Sequence, residues 1–151
     1  MNPAGTNAPR DPVRDLGDGV LMPMLGLGVW QIRQGRDAEQ AVEWALEAGY
    51  RHIDTATAYR NERSVGVALR HSGLARDEMF ITTKWMPLQP NPARELARSL
   101  ERLGLDYVDL YLIHWPTALP SQPATPRRSG TTRILALLTN CLLPTTSTMT
   151  R

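Results

Sequence analysis

Three apolar runs that each end in an ionisable residue are the feature that most constrains the fold of this chain. Asp54, Lys84 and His114 stand at the ends of these runs, and successive members of the set are 30 residues apart. About 30 residues is the length of one unit of strand, helix and next parallel strand. In barrels of parallel strands, catalytic groups lie at the carboxyl ends of the strands. The spacing therefore predicts that these side chains meet on one rim, within reach of Tyr59 in the loop after Asp54.

Helical patterns fill the segments between the apolar runs. Each pattern has apolar residues at helical spacing and a glycine at its end. The predicted helices begin with Asp37 as N-cap and Gln40 in a capping box, with Asn61 as N-cap before Glu62, and with Asn91 as N-cap before Pro92; they end at Gly49, at Ser72–Gly73 and at Gly104. This alternation of strands and helices predicts an α/β fold with a parallel sheet and helices outside it.

Two further strand signals precede the first helix. Residues 13–24 place Gly17-Asp18-Gly19 between short mixed runs, which predicts a hairpin. Residues 25–30 predict a first buried strand, with glycines where neighbouring chain segments approach closely.

Composition divides the chain into three parts. Residues 1–11 are rich in Pro, Asn, Ala and Gly and are predicted to be a disordered arm. Residues 12–116 carry the strand and helix pattern. Residues 117–151 contain nine threonines and four arginines but no lysine or acidic residue. They do not continue the pattern, and we predict that they form a disordered tail.

Charge and hydropathy argue against several classes of protein. The formal net charge is +2, and the excess of arginine over acidic residues lies in the tail. The sequence has no basic face with interleaved aromatic residues, so nucleic-acid binding is not predicted. A single cysteine, Cys141, rules out an internal disulfide and favours a reducing compartment. The first 18 residues lack the apolar core of a signal peptide, and the longest apolar stretch, 134–143, is too short to span a bilayer. We therefore expect a cytoplasmic protein without a membrane partner.

Asp54, Tyr59, Lys84 and His114 together suit the protonation of an oxygen that gains negative charge. A tyrosine hydroxyl can donate the proton, and a nearby ammonium stabilises the phenolate that remains. Lys84 is the only lysine beside 16 arginines and can supply that ammonium. Asp54 can hold the ammonium in place, and His114 can hydrogen-bond the substrate oxygen. Carbonyl reduction creates such an oxygen, and because no side chain supplies a hydride, a nicotinamide cofactor is implied.

Five sequence motifs follow one another along the chain. They are MPMLGLGVW (22–30), GYRHIDTA (49–56), YRNE (59–62), ITTKW (81–85) and LIHWP (112–116). Together they resemble the aldo-keto reductase family, and within it the bacterial diketogluconate reductases. The resemblance covers residues 12–117 and implies a (β/α)8 TIM barrel, of which this chain holds about the first four β/α units. It also implies NADPH as cofactor, a small carbonyl compound as substrate, and no metal.

The resemblance also assigns roles to individual residues. Tyr59 would be the general acid, Lys84 and Asp54 would tune it, and His114 would orient the carbonyl. Cofactor contacts are implied for Val29, Trp30 and Asp54, and substrate contacts for Trp30, Trp85 and His114. The family usually has threonine or a similar small residue where this chain has Val29.

The resemblance leaves one large departure and two alternatives. In the family, the second half of the barrel supplies the tyrosine that stacks on the nicotinamide and the basic cluster for the 2′-phosphate, and no residue here matches them. Two alternatives follow. The chain is an inactive fragment without measurable turnover, or it is an interaction module that pairs its strand edges with another chain, including a second copy of itself. A dinucleotide fold of the Rossmann type is not supported, because Gly26-x-Gly28 is followed by Gln31 where that fingerprint requires glycine.

Overall fold

Strands and helices alternate through residues 12–17, 19–88 and 91–115, the part of the chain that this computed structural model describes. The strands are β1 (Val13–Asp15), β2 (Leu21–Pro23), β3 (Leu27–Gly28), β4 (His52–Asp54), β5 (Phe80–Trp85) and β6 (Leu110–Ile113), and the helices are α1 (Arg36–Glu47), α2 (Glu62–His71) and α3 (Pro92–Leu103). Strands β3, β4, β5 and β6 form a parallel sheet in that order. This confirms the predicted parallel α/β architecture. The predicted arm, residues 1–11, and the predicted tail, residues 117–151, lie outside the described residues.

The predicted hairpin is present at the start of the described chain. Strands β1 and β2 are antiparallel, with Val13 opposite Pro23. Gly17 and Gly19 have φ angles of 99° and 74°, which side-chain-bearing residues rarely adopt, so the turn requires glycine there. The Gly17 amide also donates a 2.8 Å hydrogen bond to the Asp15 carboxylate.

The first strand of the parallel sheet is shorter and more exposed than predicted. Only Leu27–Gly28 of the predicted 25–30 segment forms a strand, and among the described residues it pairs with β4 alone. Trp30 is 66% exposed, and Gln31 turns the chain away with a φ of 63°. Residues 24–25 form a bend before the strand and residues 30–31 form a turn after it, so only a short segment between them is extended.

The N-cap of helix α1 lies two residues before the predicted one. Its N-cap is Gly35, with a φ of 103°, and not Asp37, which lies in the first turn. The amide of Gly35 donates to Ser64 Oγ at 2.7 Å, so a residue of α2 satisfies this helix end. Gln40 does not close a capping box either, because its Oε1 accepts a hydrogen bond from Arg36.

The other helix boundaries agree with the sequence prediction. Helix α2 spans residues 62–71, and α1 is followed by Gly49 with a φ of 97°. Asn91 caps α3 by accepting a 3.0 Å hydrogen bond from the Arg94 amide, and Gly104 ends this helix in the left-handed conformation. None of these three described helices has the length and apolar content needed to cross a membrane.

The hydrophobic core lies between the sheet and the helices. Side chains alternate between the two faces of a strand. Ile53 and Ile81 are fully buried in the core cluster that also contains helix residues such as Val42 and Val65. The opposite face carries the residues that precede and follow Ile53 and Ile81, which are His52 and Asp54 in β4 and Phe80 and Thr82 in β5. The core thus fixes which strand residues are left to form a site.

Gly66 allows α2 and α3 to approach closely. A Cβ atom at Gly66 would lie 2.1 Å from the carbonyl oxygen of Leu103, which belongs to the helix backbone and cannot rotate away. Glycine is therefore required here by packing, although it is a poor helix former.

Gly66→Ala is expected to lower the free energy of unfolding by about 1–3 kcal/mol, the usual cost of overpacking. Alanine by itself favours a helix by about 1 kcal/mol over glycine, so the sign of the change is diagnostic. Urea unfolding followed by circular dichroism measures it. Arg63→Ala, on an exposed position of the same helix, is the control and should change stability by less than about 0.5 kcal/mol. A gain in stability for Gly66→Ala would mean that the helices separate without cost.

Candidate active site

Four polar side chains meet at the carboxyl ends of the parallel strands. Asp54 is the last residue of β4, Lys84 lies near the end of β5, and His114 directly follows β6. Tyr59 ends a short 3₁₀ turn after β4. The register aligns Asp54 with Thr82, so Lys84 lies two residues further along β5 on the same face. The structure thus brings together the four residues that the sequence pattern selected.

The ammonium of Lys84 joins this cluster. Its Nζ atom lies 2.6 Å from both carboxylate oxygens of Asp54 and 3.1 Å from the carbonyl oxygen of Thr55. It also lies 3.3 Å from the Tyr59 hydroxyl oxygen. Both charged side chains are largely removed from solvent, which strengthens their attraction. The ion pair therefore holds a positive charge beside the phenol.

His114 completes the cluster from the neighbouring strand. Its ring contacts the Tyr59 ring edge-on, with centroids 5.3 Å apart, and stacks on the Trp115 indole at 5.6 Å. Its backbone amide donates a 2.8 Å hydrogen bond to the carbonyl oxygen of Trp85, which extends the sheet pairing by one residue. The imidazole position is thus set by the sheet and by two aromatic neighbours.

The protonation of His114 is set by its surroundings. Burial lowers the pKa of the His114 imidazole below its usual 6.5, and the nearby Lys84 ammonium lowers this pKa further, against the opposing effect of Asp54. The ring is therefore neutral at pH 7 and carries one N–H donor. Its Nδ1 atom is buried and has no hydrogen-bond partner among the described residues.

The stability of the protein is expected to fall as the pH drops below 6.5. Because the folded-state pKa of His114 is lowered, the unfolded chain binds more protons between that lowered pKa and 6.5. Burial also lowers the pKa of His52, which adds to the effect. Unfolding free energies measured by urea titration from pH 7.5 to 5 should show a smaller decline for His114→Asn. His71→Asn is the control, because the His71 side chain is 69% exposed. An unchanged slope in His114→Asn would contradict the prediction.

A cavity of about 310 Å³ opens beside the cluster. It is lined by Trp30, Tyr59, Lys84, Leu112, Ile113, His114 and Trp115. Apolar and aromatic side chains form most of its wall, and the polar groups converge at one side. This is the usual composition of a small-molecule site.

Two predicted contact residues lie elsewhere. Trp85 is 4% exposed and belongs to the core, because it follows Lys84 directly and side chains alternate along the strand. The Val29 side chain is also fully buried in the core. The backbone amide of Val29 donates to the carbonyl oxygen of Asp54, so it is not free for a cofactor. Trp30, in contrast, lines the cavity as predicted.

Sequence reasoning missed several residues of the wall. Trp115 lies inside the motif at 112–116 but received no role. Leu112 pairs in register with Lys84, so strand alternation places it on the same face as the lysine. A prediction of register would have found Leu112. Among the described residues, no group of three or more His, Cys, Asp or Glu side chains could hold a metal ion.

A parallel sheet with outer helices and a polar site at the carboxyl ends of its strands is typical of β/α-barrel proteins. The aldo/keto reductase family matches residues 24–136. The chain belongs to the aldo/keto reductase family, as the sequence motifs predicted.

Individual relatives support this assignment. Methylglyoxal reductase DkgA of Yersinia pestis is 59% identical over 106 residues, which are 70% of this chain and 38% of the relative. Glycerol 2-dehydrogenase (NADP(+)) of Saccharomyces cerevisiae is 53% identical over 108 residues, 71% of this chain and 34% of the relative. This chain thus matches a little more than a third of the length of these curated relatives.

Solved structures give the same result for the fold. An aldo/keto reductase from Brucella melitensis superposes with a TM-score of 0.67 at 51% identity, covering 73% of this chain and 43% of that one. A Bombyx mori aldo-keto reductase, crystallised in complex with NADP, gives 0.64 at 40% identity, with coverage of 72% and 39%. The predicted fold class is confirmed, and the parallel sheet corresponds to the first units of a TIM barrel.

Proposed function

We propose that this site reduces an aldehyde or ketone to an alcohol, with NADPH as hydride donor and Tyr59 as proton donor. The observation that carries the proposal is the 3.3 Å contact between Lys84 Nζ and the Tyr59 hydroxyl, with Asp54 holding the ammonium at 2.6 Å. Relatives named methylglyoxal reductase and glycerol 2-dehydrogenase point to small oxygenated substrates.

Tyr59 acts as the acid in this proposal because its hydroxyl lies 3.3 Å from the Lys84 ammonium. When the proton leaves, a negative phenolate remains beside the Lys84 ammonium. Asp54 keeps that ammonium aimed at the phenol through hydrogen bonds to both carboxylate oxygens. The positive charge is therefore already in place when negative charge develops, so little reorganisation is needed.

His114 orients the carbonyl in this proposal. A neutral imidazole can donate one hydrogen bond to the substrate oxygen, and the side chains of His114 and Tyr59 both line the cavity and contact each other edge-on. An oxygen held by both groups accepts the proton as it gains charge. Trp30 and Trp115 supply apolar walls for the rest of the substrate.

The described residues fit the reactive end of NADPH. When bound, the nicotinamide ring supplies a hydride. Trp30 can contact this ring, and the polar side of the cavity provides the proton for the product. Lys84 is the single ammonium or guanidinium group in the cavity wall that the structure describes, and Asp54 already engages it. The phosphate groups therefore require other cations.

The sheet edges support a second candidate function, association with another chain. Within the described residues, β3 and β6 each pair on one side only. Unpaired strand edges present free backbone donors and acceptors to a further strand. Light scattering over a range of protein concentrations would detect a second copy bound in this way. A monomer at all concentrations would argue against self-association.

Reduction is tested with two preparations. One is the 151-residue chain, and the other joins its residues 12–115 to the remaining part of the Yersinia pestis relative, which completes a barrel. Fluorescence titration measures NADPH binding, and NADPH oxidation with methylglyoxal measures turnover. We expect turnover in the fusion and none in the 151-residue chain, which has no free cation in its described cavity. A fusion that folds and binds NADPH without turnover would refute the proposed site. Turnover by the 151-residue chain would show that other residues, or a second copy, hold the cofactor.

A further inference from the structure

Asn61 links the two loops that carry Trp30 and Tyr59. It is fully buried, and its side-chain amide makes three hydrogen bonds. Its Oδ1 atom accepts a 3.0 Å hydrogen bond from the Thr55 hydroxyl. Its Nδ2 atom donates to the carbonyl oxygens of Val29 at 2.9 Å and Ile32 at 3.0 Å. One side chain thus connects the loop after β4 with the loop after β3.

This role differs from the helix-capping role that the sequence predicts. Asn61 does occupy the N-cap position of α2, but its side chain makes no capping hydrogen bond. An N-cap asparagine normally uses its side-chain oxygen to accept a bond from the first turn of the helix. Here that oxygen accepts a hydrogen bond from the Thr55 hydroxyl, and both amide hydrogens are donated to carbonyl groups of the loop after β3.

Both loops contain a residue in an unfavourable backbone conformation. Gln31 has a φ of 63° and Arg60 a φ of 59°, and they are the only non-glycine residues with positive φ in the described part of the chain. Such conformations persist only where the surrounding structure holds them. Gln31 lies between the two carbonyl groups that Asn61 binds, and Arg60 lies between Tyr59 and Asn61 itself.

We propose that Asn61 is a positioning residue. By bridging the two strained turns that carry Trp30 and Tyr59, it fixes the position of the Trp30 side chain in the cavity wall relative to the Tyr59 hydroxyl. Asn61 does not line the cavity that the structure describes, so it acts through the loops and not on the substrate. The consequence for turnover rests on the proposed function, whereas the consequence for loop geometry does not.

The pattern of donors makes asparagine specific at this position. Two carbonyl oxygens and one hydroxyl require a group with two N–H donors and one acceptor, which the carboxamide provides. Aspartate has the same shape, but it would turn lone pairs toward both carbonyl groups. The Ile32 oxygen would then lose its Asn61 donor, and the Val29 oxygen would keep only the 3.2 Å hydrogen bond from the Ile32 amide. Asn61→Asp therefore keeps the volume and removes the bridge to the loop of Trp30.

The test of loop geometry uses the full 151-residue chain with 5-fluorotryptophan in its four tryptophan positions. Trp30→Phe assigns the Trp30 fluorine signal. In Asn61→Asp, we expect this signal to shift or broaden beyond its linewidth, while the signals of Trp44 and Trp85 keep their positions. Asn91→Asp is the matched control, because that side chain caps α3 through its oxygen alone. An unmoved Trp30 signal in folded Asn61→Asp would overturn the proposal.

Thr55→Val keeps the test decisive if Asn61→Asp does not fold. Valine has the shape of threonine but cannot donate to Asn61, so the amide loses one of its three anchors. We expect a smaller displacement of the same Trp30 signal, and an unchanged signal would overturn the proposal.

Turnover is measured separately in the fusion that completes the barrel. Misplacement of a site by about 1 Å can cost about 10²-fold in rate. We expect a loss of that order in kcat/KM for Asn61→Asp, with NADPH affinity little changed, and none for Asn91→Asp. Unchanged kcat/KM together with a displaced Trp30 would overturn the catalytic part of the proposal. If Trp30 moves as expected but no preparation reduces methylglyoxal, the proposed function fails and the positioning role stands.

Discussion

Tyr59→Phe is expected to lower carbonyl reduction by about 10²- to 10⁴-fold, the usual contribution of a general acid. The phenylalanine ring keeps the edge-on contact with His114 but has no proton to donate to the substrate oxygen. The Lys84–Asp54 ion pair stays in place, because it forms directly between the two side chains. NADPH binding should therefore change little. Steady-state rates with methylglyoxal, measured in the fusion that completes the barrel, test the expectation.

Tyr50→Phe is the matched control for this substitution. Tyr50 packs against the hydrophobic core and is absent from the described cavity wall. It should keep nearly full turnover, so any general effect of losing a hydroxyl group can be subtracted. Turnover that survives in Tyr59→Phe would mean that another group, such as His114, donates the proton.

Arg102→Met is expected to lower the free energy of unfolding by about 3–5 kcal/mol, the cost of leaving a buried charge without its partner. The partner is Glu62, which is 1% exposed and lies in the first turn of α2. Its Oε2 atom accepts a 2.6 Å hydrogen bond from Arg102 Nε, and its Oε1 atom accepts one of 2.7 Å from the Thr83 hydroxyl. Methionine preserves much of the side-chain volume, so the loss is mainly electrostatic. Urea unfolding at constant pH gives the difference.

Two comparisons identify the cause of that loss. Arg94→Met changes an exposed arginine of the same helix and should cost less than about 0.5 kcal/mol. The double variant Glu62→Gln with Arg102→Met removes the buried charge together with its partner, and it should recover part of the stability. A cost below about 1 kcal/mol for Arg102→Met would show that water reaches the carboxylate and replaces the arginine.

The equal spacing of Asp54, Lys84 and His114 was sufficient to predict their convergence. In a parallel sheet, each strand runs in the same direction, so residues at equal intervals return to the same edge. The lysine and aspartate then meet because Lys84 lies two residues beyond the partner of Asp54. Helix α2 was also predictable to its ends, since apolar spacing and flanking turn residues agree there.

The errors arose where a side chain serves a distant segment. Asp37 has the local chemistry of an N-cap, but Gly35 takes that place because Ser64 of another helix satisfies its amide. Asn61 likewise lies in a sequence typical of an N-cap, but its side chain forms hydrogen bonds with the loop after β3 and not with the first turn of α2. The substrate contact that the family resemblance implies for Trp85 stays a prediction, and in the described part of the chain alternation along β5 directs this side chain to the core. Local propensity carries no information about such partners, and tertiary contacts override it.

The strand order has a consequence for how this site can be inherited. Within the described part of the chain, each strand of the parallel sheet pairs only with its neighbours in sequence. Tyr59, the ion pair of Asp54 and Lys84, and the His114 imidazole therefore come from consecutive units, within one continuous stretch of sequence from residue 54 to residue 114. A single recombination event can transfer the whole cluster from one barrel to another and keep the relative positions of its residues. The remaining units can then be exchanged independently, and such an exchange changes which substrate the site binds.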